Sequence, residues 1–170
     1  MMNVEEAKQW VISKLLAGGA VDCPVCEQRC EIYKRKLNSG MAVCLLVLVR
    51  APAHKDNAGG WVHVQKYLAD NALRPDVKKA LSNREWAKLA YWGLLEEATP
   101  DVMEKMFEGA KNTGFWRLTE KGRDFAHRKV SVPEFIHLYD GEFLRFDGKP
   151  IDIEKALRSK FDYEELMRGS

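Results

Sequence analysis

The chain has 170 residues, of which 31% are charged, and a formal net charge of +2. That length suits one large domain, or one domain with small additions, and it is enough to bury a normal core; the composition is not that of a disordered chain. The near balance of charge excludes a global field drawing the protein to nucleic acid, so any such binding has to come from local clusters.

No apolar run is long enough to cross a membrane, and the longest, MAVCLLVLV, stops at Arg50. The N-terminal MMNVEEAKQW is acidic and amphipathic, unlike a signal peptide. A cytoplasmic protein is expected, with reduced thiols. Its four cysteines are then metal ligands or buried thiols before they are disulfides.

The first predicted element is a helix over NVEEAKQWVISKLLAGG. Asn3 and Glu6 form a capping box, Val4, Ala7, Trp10, Val11 and Leu15 share a face, and Gly18 and Gly19 stop it. VDCPVCEQRC follows, then EIYKRKL, read as a short strand or extended turn. Ser39 is the expected N-cap of GMAVCLLVLVR, a buried helix because it is apolar nearly all round. APAHKDNAGG is a loop, and WVHV a short strand. QKYLADNAL and DVKKALSNREWAKLAYWGL are helices divided near Arg74-Pro75. A further break at Ser82, as N-cap, starts a helix at Asn83. PDVMEKMFEGAKNTG is a charged excursion with at most one short helix. FWRLT is a strand and EKGRDFAHRK a short helix. EFIHLYDGEFLRFDG alternates around Asp140-Gly141, a strong hairpin turn. Asp152 and Asp162 cap two final short helices.

The order helix, strand, helix, helix, strand pair is that of a winged helix-turn-helix. AYWGLLEE followed by GFWRLTEKGRDF resembles the end of the recognition helix, the wing and the closing helix of MarR- and PadR-like proteins. In those families a helix ends on glycine, an apolar strand follows, and the wing returns through L-T-x-x-G. Here Gly93 is the helix stop, Leu94 and Leu95 begin the wing, and Leu118 to Gly122 make the return. The resemblance covers roughly residues 40 to 128. The stretch between Leu95 and Phe115 is far longer than a simple wing needs. The whole chain also resembles uncharacterised phage and prophage proteins with CPxC near the N-terminus and FDYEELM at the end.

This resemblance implies binding to double-stranded DNA, with the recognition helix in the major groove and the wing beside the backbone. In SNREWAKLAYWGLL, Trp86, Leu89 and Ala90 face the core, while Arg84 and Lys88 point outward one turn apart, preceded by Lys78 and Lys79. The wing tip carries Lys111 and Asn112. Lys34, Arg35 and Lys36 are the densest basic run. Against this stand Glu85, Glu96, Glu97, Asp101, Glu104 and Glu108, which repel phosphate. The alternative is a phage interaction module that engages a host or partner protein without touching DNA, or a homodimer, through an exposed Tyr91–Trp92 surface.

Cys23-Pro-Val-Cys26 supplies two of the four ligands of a structural zinc site. Cys30 is close enough to be a third, and His63 or His54 are the other candidates; Cys44 belongs to the core. No second C-x-x-C follows, so the competing reading is a knuckle-like turn without metal. A redox pair has less support, because no thioredoxin-like pattern surrounds it. No catalytic motif is present, the histidines have no catalytic spacing, and the adjacent acidic pairs are solvated faces. The expected architecture is α+β, mainly α. Residues 1–36 form a helix and a cysteine turn, 37–129 a winged-helix core, and 130–170 a C-terminal hairpin with short helices. Its function is binding, not catalysis.

Overall fold

The computed structural model describes residues 2–50, 60–71, 74–82, 84–106 and 114–168. Helices and strands are mixed along the chain, and the residues divide into two compact units. One comprises residues 1–36 and 133–149, the other 37–132 and 150–170. The division differs from three consecutive stretches. The hairpin joins the N-terminal segment, and the last helices join the central core.

In the first unit, helix α1 spans Val4–Ala17 under the expected capping box, with Ala7, Val11 and Leu15 buried. Val4, expected on the same face, is 77% exposed because it sits in the first turn, ahead of the packed stretch. Strands β1 (Val21–Asp22) and β2 (Arg29–Cys30) form an antiparallel ribbon around the cysteine turn. Val11, Leu15 and Cys30 make a small core, with Trp10, Val21, Cys23, Ile32 and Tyr139 against it. Strand β3 (Tyr33–Lys36) pairs antiparallel with β7 (Val132–Tyr139), and β7 is the centre of a sheet ordered β3–β7–β8. The turn into β8 (Glu142–Ile151) is made by Asp140 and Gly141, with φ of 50° and 74°. Both are left-handed, as the tightest hairpin turns require.

The second unit is built around α2 (Ser39–Val49), in which Met41 to Leu48 are all buried. Its N-cap is Asn38, one residue earlier than expected. The Asn38 amide does two jobs: its oxygen accepts from Met41 N–H at 3.0 Å, and its nitrogen donates to Glu85 at 2.6 Å. Burial of Cys44 in α2 pushes its thiol pKa up. Strand β4 (Val62–His63), α3 (Val64–Asn71) and α4 (Pro75–Leu81) follow. Ser82 ends α4 rather than capping a new helix, and its hydroxyl donates to Lys79 O at 2.8 Å. After it comes a 3-10 helix, Glu85–Trp92, then β5 (Leu95–Glu97), α5 (Pro100–Met106), β6 (Phe115–Leu118) and α6 (Glu120–Ala126). Helices α7 (Ile153–Leu157) and α8 (Tyr163–Arg168) close the chain under Asp152 and Asp162. The three-stranded sheet is ordered β4–β6–β5, with both pairings antiparallel.

The sequence predicts an α-helix where the 3-10 helix lies. Trp86, Leu89 and Trp92 are buried at 7%, 0% and 1% exposure. A spacing of three aligns side chains on a 3-10 helix but not on an α-helix. Ala90, expected in the core, is exposed, and Trp92, expected at the surface, is inside. Trp86 also meets Trp116 of β6 edge-on, with centroids 5.5 Å apart.

The L-T-x-x-G turn docks on the end of this helix. Gly93 has φ of 73°, the left-handed stop. Thr119 accepts from Gly122 N–H at 2.9 Å and donates to Gly93 O at 2.6 Å. A Cβ on Gly122 would lie 2.0 Å from Leu94 O, so backbone meets backbone there. Gly122→Ala is therefore expected to destabilise by about 1–3 kcal/mol, lowering Tm by roughly 2–4 °C per kcal/mol in a chain of this size. Thr119→Val, which loses both the cap and the bond to Gly93 O, should cost about 1–2 kcal/mol. Thermal unfolding monitored by circular dichroism checks both, and a silent Gly122→Ala would contradict the close approach.

Candidate functional site

The basic residues separate into two groups, one in each unit. In the central unit, Arg84 occupies the break between α4 and the 3-10 helix. Its φ is 57°, a left-handed conformation that L-residues other than glycine seldom adopt. Its guanidinium donates to Gln65 Oε1 at 2.7 Å. Arg84, Gln65, Lys78 and Ser82 line a cleft of about 310 Å³ whose apolar floor is Leu68, Ala69, Leu81 and Trp86. A neighbouring hollow of about 210 Å³ also borders Gln65, Arg84 and Trp86, along with Ala87, Gly114 and Trp116. The cleft thus has a polar rim with two cations over an apolar base.

Lys88 is half-buried in the 3-10 helix. Four residues on a 3-10 helix is a turn and a third, so Lys88 does not stack on Arg84 as an α-helix would require. Its neighbours along one face are Glu85 and Tyr91. The structure therefore separates the expected Arg84–Lys88 pair and brings Arg84 together with Lys78 instead. Among the described residues, no ion pair holds Lys66, Lys78, Lys79 or Lys88. Two of the acids expected to repel phosphate are engaged, Glu96 with Arg117 opposite it on β6 and Glu85 with Asn38; Asp76 pairs with Arg74. The Arg74 guanidinium holds the Asp76 carboxyl below its usual range. Lys111 and Asn112 lie outside the described residues.

Lys34, Arg35 and Lys36 belong to the other unit, on edge strand β3. Lys34 reaches Asp147 at 3.4 Å and stands 4.2 Å from the Phe135 ring centroid. Lys36 pairs with Glu134 at 2.8 Å, and Arg35 stacks over Tyr33. Lysines on an edge strand also discourage further strand pairing. His137 lies opposite Lys34, on a strand of the hairpin. It is 9% exposed, accepts from Arg145 at Nδ1 (3.0 Å) and meets Asp147 at Nε2 (2.9 Å). Asp147 is held below the usual carboxylate range by Gly148 N–H, then by His137 and Lys34.

The cysteine turn is closed twice by backbone. Cys23 N–H donates to Gln28 O at 2.8 Å, and Glu27 N–H donates to Cys23 O at 2.9 Å. The backbone N–H groups of Cys26 and Val25 aim at the Cys23 sulfur and hold its thiol below the ordinary range. Cys26 is exposed and Cys23 half-buried. Cys30, expected as a third ligand, is buried in the small core instead. Its sulfur accepts from Tyr139 O–H at 3.3 Å, a bond that, with burial, pushes the tyrosine up to about 12. His63, the other expected ligand, lies in the central unit. Its Nδ1 accepts from Lys66 N–H at 3.2 Å, a cap for α3, and its ring meets Phe115 edge-on. Among the described residues, no three Cys, His, Asp or Glu side chains form a group that would hold a metal. His54 lies outside them.

Residues the sequence reading passed over are Gln65 and Ser82, at the cleft rim, and Tyr139, over Cys30. None carries a motif. No protein-family model, curated protein or solved structure matches the chain.

Arg84 yields a test that separates strain from charge. Arg84→Gly relieves the left-handed backbone and should keep or raise Tm. Arg84→Ala keeps the strain, loses the Gln65 bond, and should be less stable than Arg84→Gly by about 1 kcal/mol. Equal stability of the two variants, measured by urea unfolding, would argue against the left-handed assignment.

Proposed function

We propose that the central unit is a winged-helix module that binds double-stranded DNA, within a phage-type regulator. The observation that carries this reading is the strand order β4–β6–β5, with α3 and α4 falling between β4 and β5 in the chain. A winged helix-turn-helix has that plan: a strand after the first helix pairs with the returning strand of the wing. Between β5 and β6, where a winged helix carries its wing loop, the described residues include α5.

On this reading α4, not the 3-10 helix, takes the groove position. Lys78 and Lys79 lie in its last turn, and Arg84 shares the cleft with Lys78. The backbone-facing part would include Lys66 and Lys88. Phosphate contacts fix register and supply salt-dependent affinity, while sequence is read by groups that reach base edges. Lys34, Arg35 and Lys36 are left out, because their charges are engaged within their own sheet.

A second reading, interaction with a host or partner protein, draws on the other unit. Phe143 and Phe146 are each 41% exposed, with ring centroids 4.8 Å apart, and Tyr33 is 53% exposed. The Tyr91–Trp92 surface no longer supports it, since Trp92 is buried.

Fluorescence anisotropy on a random duplex at low salt tests the DNA reading. Binding is expected at micromolar protein, falling as salt rises. Lys78→Glu together with Arg84→Glu should weaken it by roughly tenfold or more and reduce the log–log salt slope by about one unit per lost phosphate contact. Circular dichroism confirms that the variant is folded. No binding by the wild-type protein at low salt would move the assignment to the partner protein, and Phe143→Ser with Phe146→Ser would then be the variant to examine.

A further inference from the structure

The cleft beside Arg84 holds more than contact with a duplex would use. Its rim carries Gln65, Lys78 and Arg84, and its floor is Leu68, Ala69, Leu81 and Trp86. Phosphates meet cations at a surface, and an apolar recess of about 310 Å³ beneath those cations adds nothing to such a contact. A recess of that size, lined by apolar side chains with a few convergent polar groups, suits a small molecule.

The rim selects the charge of that molecule. Arg84 gives one N–H to Gln65 Oε1 at 2.7 Å, and a guanidinium has five. Arginine only donates, so the amide oxygen is the Gln65 atom facing it, and the NH2 group is left as a further donor. Lys78 adds an ammonium group. Asp76, two positions before Lys78, is held by Arg74, and Glu85, next to Arg84, is held by Asn38. Among the described residues, neither Lys78 nor Arg84 makes an ion pair. Two positive charges therefore border an apolar recess without an acid to balance them. The left-handed φ of 57° places the guanidinium there, in a backbone conformation that suits glycine and that gathers at ligand sites when another residue adopts it. An anion balances this rim, and the arginine fork matches the two oxygens of a carboxylate.

The floor selects the rest of the molecule. Three of its four side chains are aliphatic, and the fourth, Trp86, is packed edge-on against Trp116. An alkyl chain fits such a surface, since it needs area and not a ring face.

We propose that this cleft binds a medium-chain aliphatic carboxylate, with its oxygens on Arg84 and Lys78 and its chain over Leu68, Ala69 and Leu81. The binding itself stands apart from the DNA reading. Its consequence rests on that reading: the two cations cannot serve carboxylate and phosphate at once, so ligand and duplex exclude each other.

The test titrates octanoate into the full chain without DNA, followed by calorimetry. Saturable binding of one octanoate per chain is expected. Octanol, which keeps the chain and lacks the charge, and acetate, which does the reverse, should each bind at least roughly tenfold more weakly. Lys78→Gln with Arg84→Gln should bring octanoate down to the level of octanol. Ala69→Phe, at an exposed position, should fill the cleft and abolish octanoate binding with circular dichroism unchanged. In the duplex assay, octanoate should raise the apparent dissociation constant and octanol should not. Failure of octanoate to saturate, octanol bound as tightly, or octanoate binding that survives either variant would each overturn the proposal, whether or not the duplex binds. A bound duplex that octanoate leaves in place would overturn the mutual exclusion. Saturable octanoate binding by a chain that ignores duplex would uphold the cleft and count against the DNA reading alone.

Discussion

Three successive carbonyls at the end of the 3-10 helix are all answered by the turn that begins α6. Lys121 Nζ donates to Trp92 O at 3.0 Å, the Thr119 hydroxyl to Gly93 O, and Thr119 N–H to Leu94 O at 3.2 Å. A helix end leaves its last carbonyls without partners, and leaving them dry is costly. Here one short turn satisfies them, and in doing so sets where β5 begins. The register of β5 on β6, with Leu95 opposite Leu118 and Glu96 opposite Arg117, follows from that attachment. Removing a side chain at residue 122 is what lets the two backbones come close enough. The sheet order of the central unit, and with it the DNA reading, depends on this contact.

Signals that act over a few residues were legible in the sequence. Asn3 with Glu6, Thr119 with Gly122, and Asp140 with Gly141 each lie within three positions of one another, and each forms as its chemistry predicts. The 85–92 stretch departs from the expected α-helix for a definite reason. Trp86 and Leu89 fit periods of 3.0 and 3.6 equally, and the residues that discriminate are Ala90 and Trp92. Alanine is at ease either inside or outside, and a tryptophan beside a tyrosine reads as a surface pair. The hydrogen bond from Asn38 to Glu85 and the edge-on contact of Trp86 with Trp116 both come from distant segments, and tertiary contacts of that kind override local propensity.

The candidate sites divide the same way. Cys23 and Cys26 were legible as a turn because their spacing is local. The failure of Cys30 and His63 to join them was not, since both are claimed by groups elsewhere in the chain, Tyr139 and the start of α3. The basic run at 34–36 looked like a phosphate-binding patch while its partners were out of sight. Pairing β3 with β7 sets Lys34 opposite His137 and Lys36 opposite Phe135, and Asp147 and Glu134 then take up the charges. Conversely, Lys78 drew little notice in the sequence, yet the break at Arg84 brings the two around one cleft.

The pairing of β3 with β7 has a consequence for how the protein is made. Tyr33 and Leu138 face each other across roughly a hundred residues of intervening chain, and closing so long a loop is slow. On a ribosome, the first 36 residues emerge long before their strand partner exists. The central unit has most of its elements in hand by residue 132, so it is positioned to fold first and carry β7 to a waiting β3. Until then β3 is a nascent strand with an open edge, the form most prone to pair with a wrong neighbour. Its three consecutive cations, Lys34, Arg35 and Lys36, make that open edge a poor partner for another strand.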